Sequence, residues 1–200
     1  YAIAAEQIGG RYEDIVRTCQ LHTDTVGVVR EREGGFRQVG APDGCDALIT
    51  NVPGVVLAGF YADCQLILLY DEKNHAVGAV HAGWRGVANR ILAKTIEKMG
   101  EEFGTQPKNI IAAVGPAICR RCFETDDDVK EILFEIYEDQ VPDYFYKEGA
   151  KWHIDLKMLT YSSLIRLGVQ PYNIDVSTRC PCCGEEELYW SHRRTKGVRG

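Results

Sequence analysis

Two apolar, strand-sized runs separated by a short polar turn constrain this chain more than any other feature. Residues 65–70 and 76–80 flank Asp71-Glu72-Lys73-Asn74, a pattern that predicts a β-hairpin. Both runs are apolar on successive residues rather than alternate ones, so both faces of the hairpin should be covered. Such a hairpin belongs in the middle of a layered fold. With the turn centred between Glu72 and Lys73, Tyr70 faces His75, Leu68 faces Val77 and Cys64 faces His81. Directly opposed residues have Cβ atoms roughly 4.5–5.5 Å apart. This register therefore sets a thiol beside an imidazole, provided no bulge intervenes.

Other segments extend the pattern. Strands are predicted over 26–29, 46–50, 55–61, 109–114 and 172–177, the fourth closed by Gly115-Pro116. Residues 11–19 carry apolar positions at Tyr12, Ile15, Val16 and Cys19, which predicts a short helix. A second helix is expected over 87–99, with Ile91, Leu92, Ile96 and Met99 on one side. A third follows Thr125-Asp126-Asp127-Asp128, whose acids suit the first turn of a helix ending near Tyr137. A fourth spans 156–167 and stops at Gly168. Gly9-Gly10 and Gly34-Gly35 are local breaks, and no repeat, low-complexity stretch or linker divides the chain. The expectation is one catalytic domain over residues 1–200, an α/β or α+β layered sandwich with a mixed sheet. The chain starts at Tyr1 without a Met, so its N-terminal segment is expected to be incomplete.

Composition narrows the function classes. A net charge of −6 argues against a nucleic-acid partner, which needs clustered Lys and Arg; His192-Arg193-Arg194-Thr195-Lys196 is too short a basic cluster. No apolar run approaches the roughly 20 residues of a membrane helix. Eight cysteines in a chain with a rich core and no secretory signal point to a reducing, cytoplasmic setting, with one or more on metal.

Cys64 beside His81 has three readings: a zinc site if a third ligand joins them, a nucleophilic thiolate with its base, or a packed Cys and a satisfied His. The sequence after His81, Ala82-Gly83-Trp84-Arg85-Gly86, favours a site. Its glycines allow close approach of a ligand, its helix start attracts anions, and Arg85 can grip phosphate with two bonds.

Ala62-Asp63-Cys64 followed by His81-Ala82-Gly83-Trp84-Arg85-Gly86 resembles the purine nucleoside phosphorylase family once labelled multicopper polyphenol oxidoreductase, or laccase-like. Further matches follow in order: Gln20-Leu21-His22, Asp46-Ala47-Leu48-Ile49-Thr50, Gly115-Pro116-Ala117-Ile118 with Cys122-Phe123-Glu124, and Ser191-His192-Arg193-Arg194. The resemblance covers about residues 20 to 197. It implies an α/β/β/α sandwich and one zinc on His22, Cys64 and His81. It also implies phosphorolysis of adenosine, inosine, guanosine and methylthioadenosine to free base and ribose 1-phosphate, with adenosine deaminase side activity. Copper is less favoured, because three ligands cannot make a multicopper cluster. The chain departs from the family pattern at Thr23, where Gly often follows the His, and at Phe123, where Tyr is common.

On this reading His22, Cys64 and His81 carry the metal and Asp63 handles a proton, its bland alternative being a turn residue at a strand end. Gly83, Arg85, Ser191 and Arg193 meet substrate, with Arg85 and then Arg193 as phosphate ligands. The partners are purine nucleosides and inorganic phosphate, with no nucleic acid or membrane, for a monomer or small homo-oligomer. Rival functions are a metal-free Cys–His amide hydrolase or deamidase, a non-enzymatic zinc module, and a copper phenol oxidase. His22 speaks against the dyad enzyme, and Gly83-Trp84-Arg85-Gly86 against the module. Cys119 and Cys122 with Cys180, Cys182 and Cys183 suggest a second zinc in principle. Read as Cys-x-Cys-Cys, however, the tail spacing is irregular, and Cys122 is accounted for by the family element, so a second zinc is not the expectation. His75 is expected in solvent at a hairpin tip, and His192 in packing or substrate stacking.

Overall fold

A computed structural model describes residues 1–32, 37–40, 42–137, 143–184 and 188–198; the Gly34-Gly35 break lies outside them. The strands are β1 (Ile15–Thr18), β2 (Val26–Val28), β3 (Arg37–Val39), β4 (Ala47–Thr50), β5 (Val56–Ala58), β6 (Gln65–Asp71), β7 (Ala76–Ala82), β8 (Ile110–Val114), β9 (Glu124–Thr125), β10 (Phe145–Glu148), β11 (Lys151–Ile154) and β12 (Ile174–Val176). The α-helices are α1 (Ala2–Gln7), α2 (Trp84–Ala88), α3 (Ile91–Phe103), α4 (Asp127–Tyr137) and α5 (Leu156–Arg166).

Among the described residues the main sheet runs β12-β8-β6-β7-β4-β2 and is mixed, with the apolar hairpin β6–β7 at its centre. Helices α2, α3 and α5 cover one face, where Ile67, Leu69, Val80, Ile91, Met99 and Leu159 form the buried core. A small parallel sheet, β3-β1-β5, lies on the other face against β4 and β7, with Val16, Val29 and Leu48 buried between the two. Helix α1 ends on that small sheet, where a Cβ at Gly10 would collide with Val56 Cγ2. The layers are thus α/β/β/α.

The structure corrects four expectations. First, the hairpin register is shifted by two residues: Leu66, not Cys64, faces His81, and Tyr70 faces Val77. Asp71 causes the shift by accepting bonds from Lys73 N (3.0 Å), Asn74 N (3.3 Å) and Asn74 Nδ2 (2.7 Å). The turn therefore occupies 72–75, with Asp71 still paired to Ala76. Second, the hairpin is central but only one face is fully covered. The short strands of the small sheet do not reach Leu68, Tyr70 and Ile111, which are exposed. Third, residues 15–18 are strand, not helix; β1 pairs with both β3 and β5, and that tertiary pairing overrides the local spacing. Fourth, the helix expected over 87–99 is two helices, because Arg90 takes a left-handed conformation (φ 58°) between α2 and α3.

The 3₁₀ turn at 107–109 and the one at 171–173 shorten the strands expected to begin at 109 and 172. The hairpin β10–β11, with β9 alongside, carries too little apolar alternation to be read from sequence. No helix among the described residues is long and apolar enough to cross a membrane.

Candidate metal centre

His22, Cys64 and His81 come together: one ligand atom from each lies within 4.8 Å of the others. His81 is buried on β7, Cys64 is half-buried just before β6, and His22 is exposed in the loop before β2. Cys64 Sγ stands 3.7 Å from His22 Nε2, and the two imidazole centroids are 5.0 Å apart, edge to face.

Asp46 organises the group. The β4–β7 pairing sets Ala47 against Val80, so Asp46, one residue earlier, stands opposite His81. Its Oδ1 lies 2.7 Å from His81 Nδ1. The carboxylate also accepts from Leu21 N (3.1 Å), His22 N (3.1 Å), Thr23 N (2.8 Å) and Thr23 Oγ1 (2.9 Å). These bonds wrap the His22 loop around one buried side chain and hold His22 at φ 61°, a backbone conformation that costs energy for a β-carbon residue. Burial works against charge on Asp46, but the bonds from His81 and Thr23 outweigh it and hold the carboxyl below the usual carboxylate range. An ionised Asp46 fixes the proton of His81 on Nδ1 and turns Nε2 toward the group, as carboxylates behind metal-binding histidines do.

Gly83 closes the cradle. A Cβ there would sit 2.9 Å from His22 Cδ2 and 3.0 Å from Cys64 Sγ. Its φ of −74° is open to any residue, so space alone demands the glycine. Tyr61 packs its ring against His81 at 5.6 Å, and burial pushes its hydroxyl well above the ordinary value. Asp46 and Tyr61 are site residues that sequence reading missed. Asp46 was visible only as the first residue of a strand.

The group opens into a cavity of about 560 Å³ lined also by Asp63, Gly83, Arg85, Phe123, His192 and Arg193. Arg85 is exposed and lies over the Trp84 ring at 4.4 Å. Helix α2 has only five residues, so its dipole adds little to the positive charge of the Arg85 guanidinium. Asp63 is buried at φ 87°. Its Oδ2 accepts from Ser191 Oγ (3.0 Å) and Arg193 N (2.6 Å), while its Oδ1 is buried with no partner among the described residues. The Arg193 guanidinium donates to Cys122 O (3.2 Å) and Glu124 O (3.1 Å). Ser191 and Arg193 thus pull the C-terminal segment over the cavity and hold Asp63 in place. The remaining histidines do not join the cluster: His75 lies in the hairpin turn, His153 of β11 is stacked on Tyr146 of β10 at 4.6 Å, and His192 lines the cavity.

All of residues 1–200 match the family described as multi-copper polyphenol oxidoreductase laccase. The chain belongs to that family. Relatives of the chain include "Adenosine deaminase RL5" from an unknown prokaryotic organism, 36% identical over 195 residues, which cover 95% of this chain and 73% of the relative. A "Purine nucleoside phosphorylase" of Bacteroides thetaiotaomicron is 34% identical over 151 residues, 75% of this chain and 56% of the relative. The crystal structure of YlmD from Geobacillus stearothermophilus superposes with a TM-score of 0.89 at 31% identity, covering 99% of this chain and 74% of that one. The chain therefore spans between about half and three quarters of the length of these relatives.

Proposed function

We propose that the chain is a zinc-dependent purine nucleoside phosphorylase. It cleaves adenosine, inosine, guanosine and methylthioadenosine with inorganic phosphate, and deaminates adenosine as a side activity. The observation that carries this reading is a three-donor His/Cys group opening into a nucleoside-sized cavity whose rim holds Arg85. Relatives named for both activities support it.

The residues fit a metal on the chemistry of the donors. Two imidazoles and a thiol within 4.8 Å, a carboxylate behind His81 and no Cβ at Gly83 suit zinc with an open fourth position. His22, Cys64 and His81 would hold it, and it would supply Lewis-acid polarisation. The copper implied by the family description finds less support, since a multicopper cluster needs more donors than this group has.

In phosphorolysis a phosphate oxygen forms a bond to ribose C1′, the C1′–N bond breaks, and the purine leaves with the electron pair and gains a proton. Arg85 grips the phosphate through paired N–H donors. The carboxylates of Glu124 and Asp128, which also line the cavity, accept from ribose hydroxyls. Asp63, whose Oδ1 is buried without a partner among the described residues, would hold or pass a proton. Arg193 uses two donors on backbone carbonyls and offers its others to phosphate, while Ser191 acts by fixing Asp63. Gly83 lets the substrate come close.

The test is release of adenine from adenosine with and without inorganic phosphate, on metal-analysed wild type and Cys64→Ala. Phosphate-dependent release by zinc-loaded wild type, lost in the variant, is the expected result. The 3.7 Å contact between Cys64 Sγ and His22 Nε2 favours one second reading, a metal-free thiol hydrolase. Zinc-free protein with no base release and a Cys64 that alkylates rapidly at neutral pH would select it.

A further inference from the structure

A second group of metal-capable side chains lies outside this site. Cys119, Cys122, Cys180 and Cys183 bring their sulfurs within 4.8 Å of one another. We propose that these four cysteines bind a structural zinc ion that clamps the C-terminal segment to the wall of the cavity.

The sequence holds two Cys-x-x-Cys units, 119–122 and 180–183. Reading the second as Cys-x-Cys-Cys hides it, because the sulfur of Cys182 is not among those that converge. Topology brings the units together. Strands β8 and β12 are parallel neighbours, with Val114 beside Val176, so their chains leave the sheet at the same end. Cys119 and Cys180 follow within a few residues.

Local geometry suits a tetrahedral thiolate site. A tetrahedron with Zn–S bonds of about 2.3 Å has sulfur–sulfur edges of about 3.8 Å, and Cys119 Sγ lies 3.8 Å from Cys183 Sγ. Each unit is a tight backbone turn. Cys122 N and Phe123 N both donate to Cys119 O at 3.0 Å, and Gly184 N donates to Cys180 O at 2.8 Å. A Cβ at Gly184 would run into that carbonyl. Cys119 N donates to Cys180 Sγ at 3.2 Å, a bond that stabilises a thiolate. No two cysteines among the described residues are joined by a disulfide. Four protein thiolates leave no open coordination position, the signature of a structural rather than a catalytic ion. The clamp holds Ile118 and Phe123, on the cavity wall, to the segment that runs on to Ser191 and Arg193.

Elemental analysis of reduced, natively purified protein tests this, together with cysteine alkylation mapped by peptide mass. The double variant Cys180→Ser/Cys183→Ser should hold one equivalent of zinc fewer than wild type, whereas Cys182→Ser should match wild type. In native wild type, Cys119, Cys122, Cys180 and Cys183 should resist alkylation until a chelator is added, and then react together as zinc is released. That second measurement needs no variant to fold. Cobalt-substituted Cys64→Ala should show sulfur-to-cobalt charge-transfer bands of a tetrahedral tetrathiolate. Equal zinc in wild type and double variant, free alkylation of the four thiols without chelator, iron in place of zinc, or disulfides among them would each overturn the proposal.

Discussion

The His22–Cys64–His81 group draws three donors from three stretches of chain, one exposed, and opens into a cavity. The four-cysteine group draws four donors from two tight turns, one sulfur buried. The mixed group is oriented by a buried carboxylate, Asp46; the thiolate group is oriented by backbone N–H groups. Three donors leave room for a reacting ligand and four do not. On the functions proposed above, the difference separates a centre that does chemistry from one that holds loops in place, although both lie near the same cavity wall.

The largest effect should come from Cys64→Ala. On the proposed function, loss of one donor of three would remove Lewis-acid stabilisation worth several kcal/mol, so kcat/KM for adenosine phosphorolysis should fall on the order of 10²–10⁴-fold. The thermal midpoint should move little, and zinc in the four-cysteine group should stay. A variant of near wild-type activity would dissolve the distinction between the two groups.

Next is Asp46→Asn, which keeps the shape but weakens the charge-assisted bonds to His81 and to the 21–23 backbone. Zinc affinity at the open group should drop about 10–100-fold in competition with a chromogenic chelator. An unchanged affinity would deny Asp46 its orienting role.

Two glycine substitutions should then give opposite patterns. Gly83→Ala places a Cβ 2.9 Å from His22 Cδ2 and should lower activity more than stability. Gly184→Ala distorts the second Cys-x-x-Cys turn and should lower stability more than activity. Overpacking of this kind costs about 1–3 kcal/mol, and each kcal/mol shifts the midpoint by roughly 2–4 °C in a chain of this size. Differential scanning fluorimetry beside steady-state kinetics reads both.

The smallest effect should touch neither group. Bonds from Arg32 (2.5 Å) and then Arg11 (2.9 Å) hold the Asp14 carboxyl far below the ordinary range. A depressed carboxyl contributes stability that is complete above its unfolded value, about 3.9, and is lost as pH falls through the lower folded value. Asp14→Asn should therefore lower the midpoint by a few degrees at pH 7, and the gap from wild type should close below about pH 4. Metal content should not change at neutral pH; loss of either metal there would couple the small sheet to the clusters.

Part of the site was legible in the sequence. The turn at 72–75 displaced the predicted register by two residues. Side chains in a strand alternate with period two, so an even slip kept Cys64 and His81 on one face. An odd slip would have parted them. The family motif supplied His22, whose approach spacing alone could not reveal, because it depends on Asp46 gathering three backbone N–H groups. The short helix read at 11–19 failed because four residues of β1 gain two strand partners that no local pattern encodes.

By itself, then, the sequence determined the central hairpin, the helices that shield one face and the first Cys-x-x-Cys unit, since each follows from residues close along the chain. Only the tertiary structure decided that β8 and β12 leave the sheet side by side, that Asp46 meets His81 across β4 and β7, and that the hairpin's second face stays partly open. Such long-range pairings depend on how distant segments pack together, and no local pattern of residues records that packing.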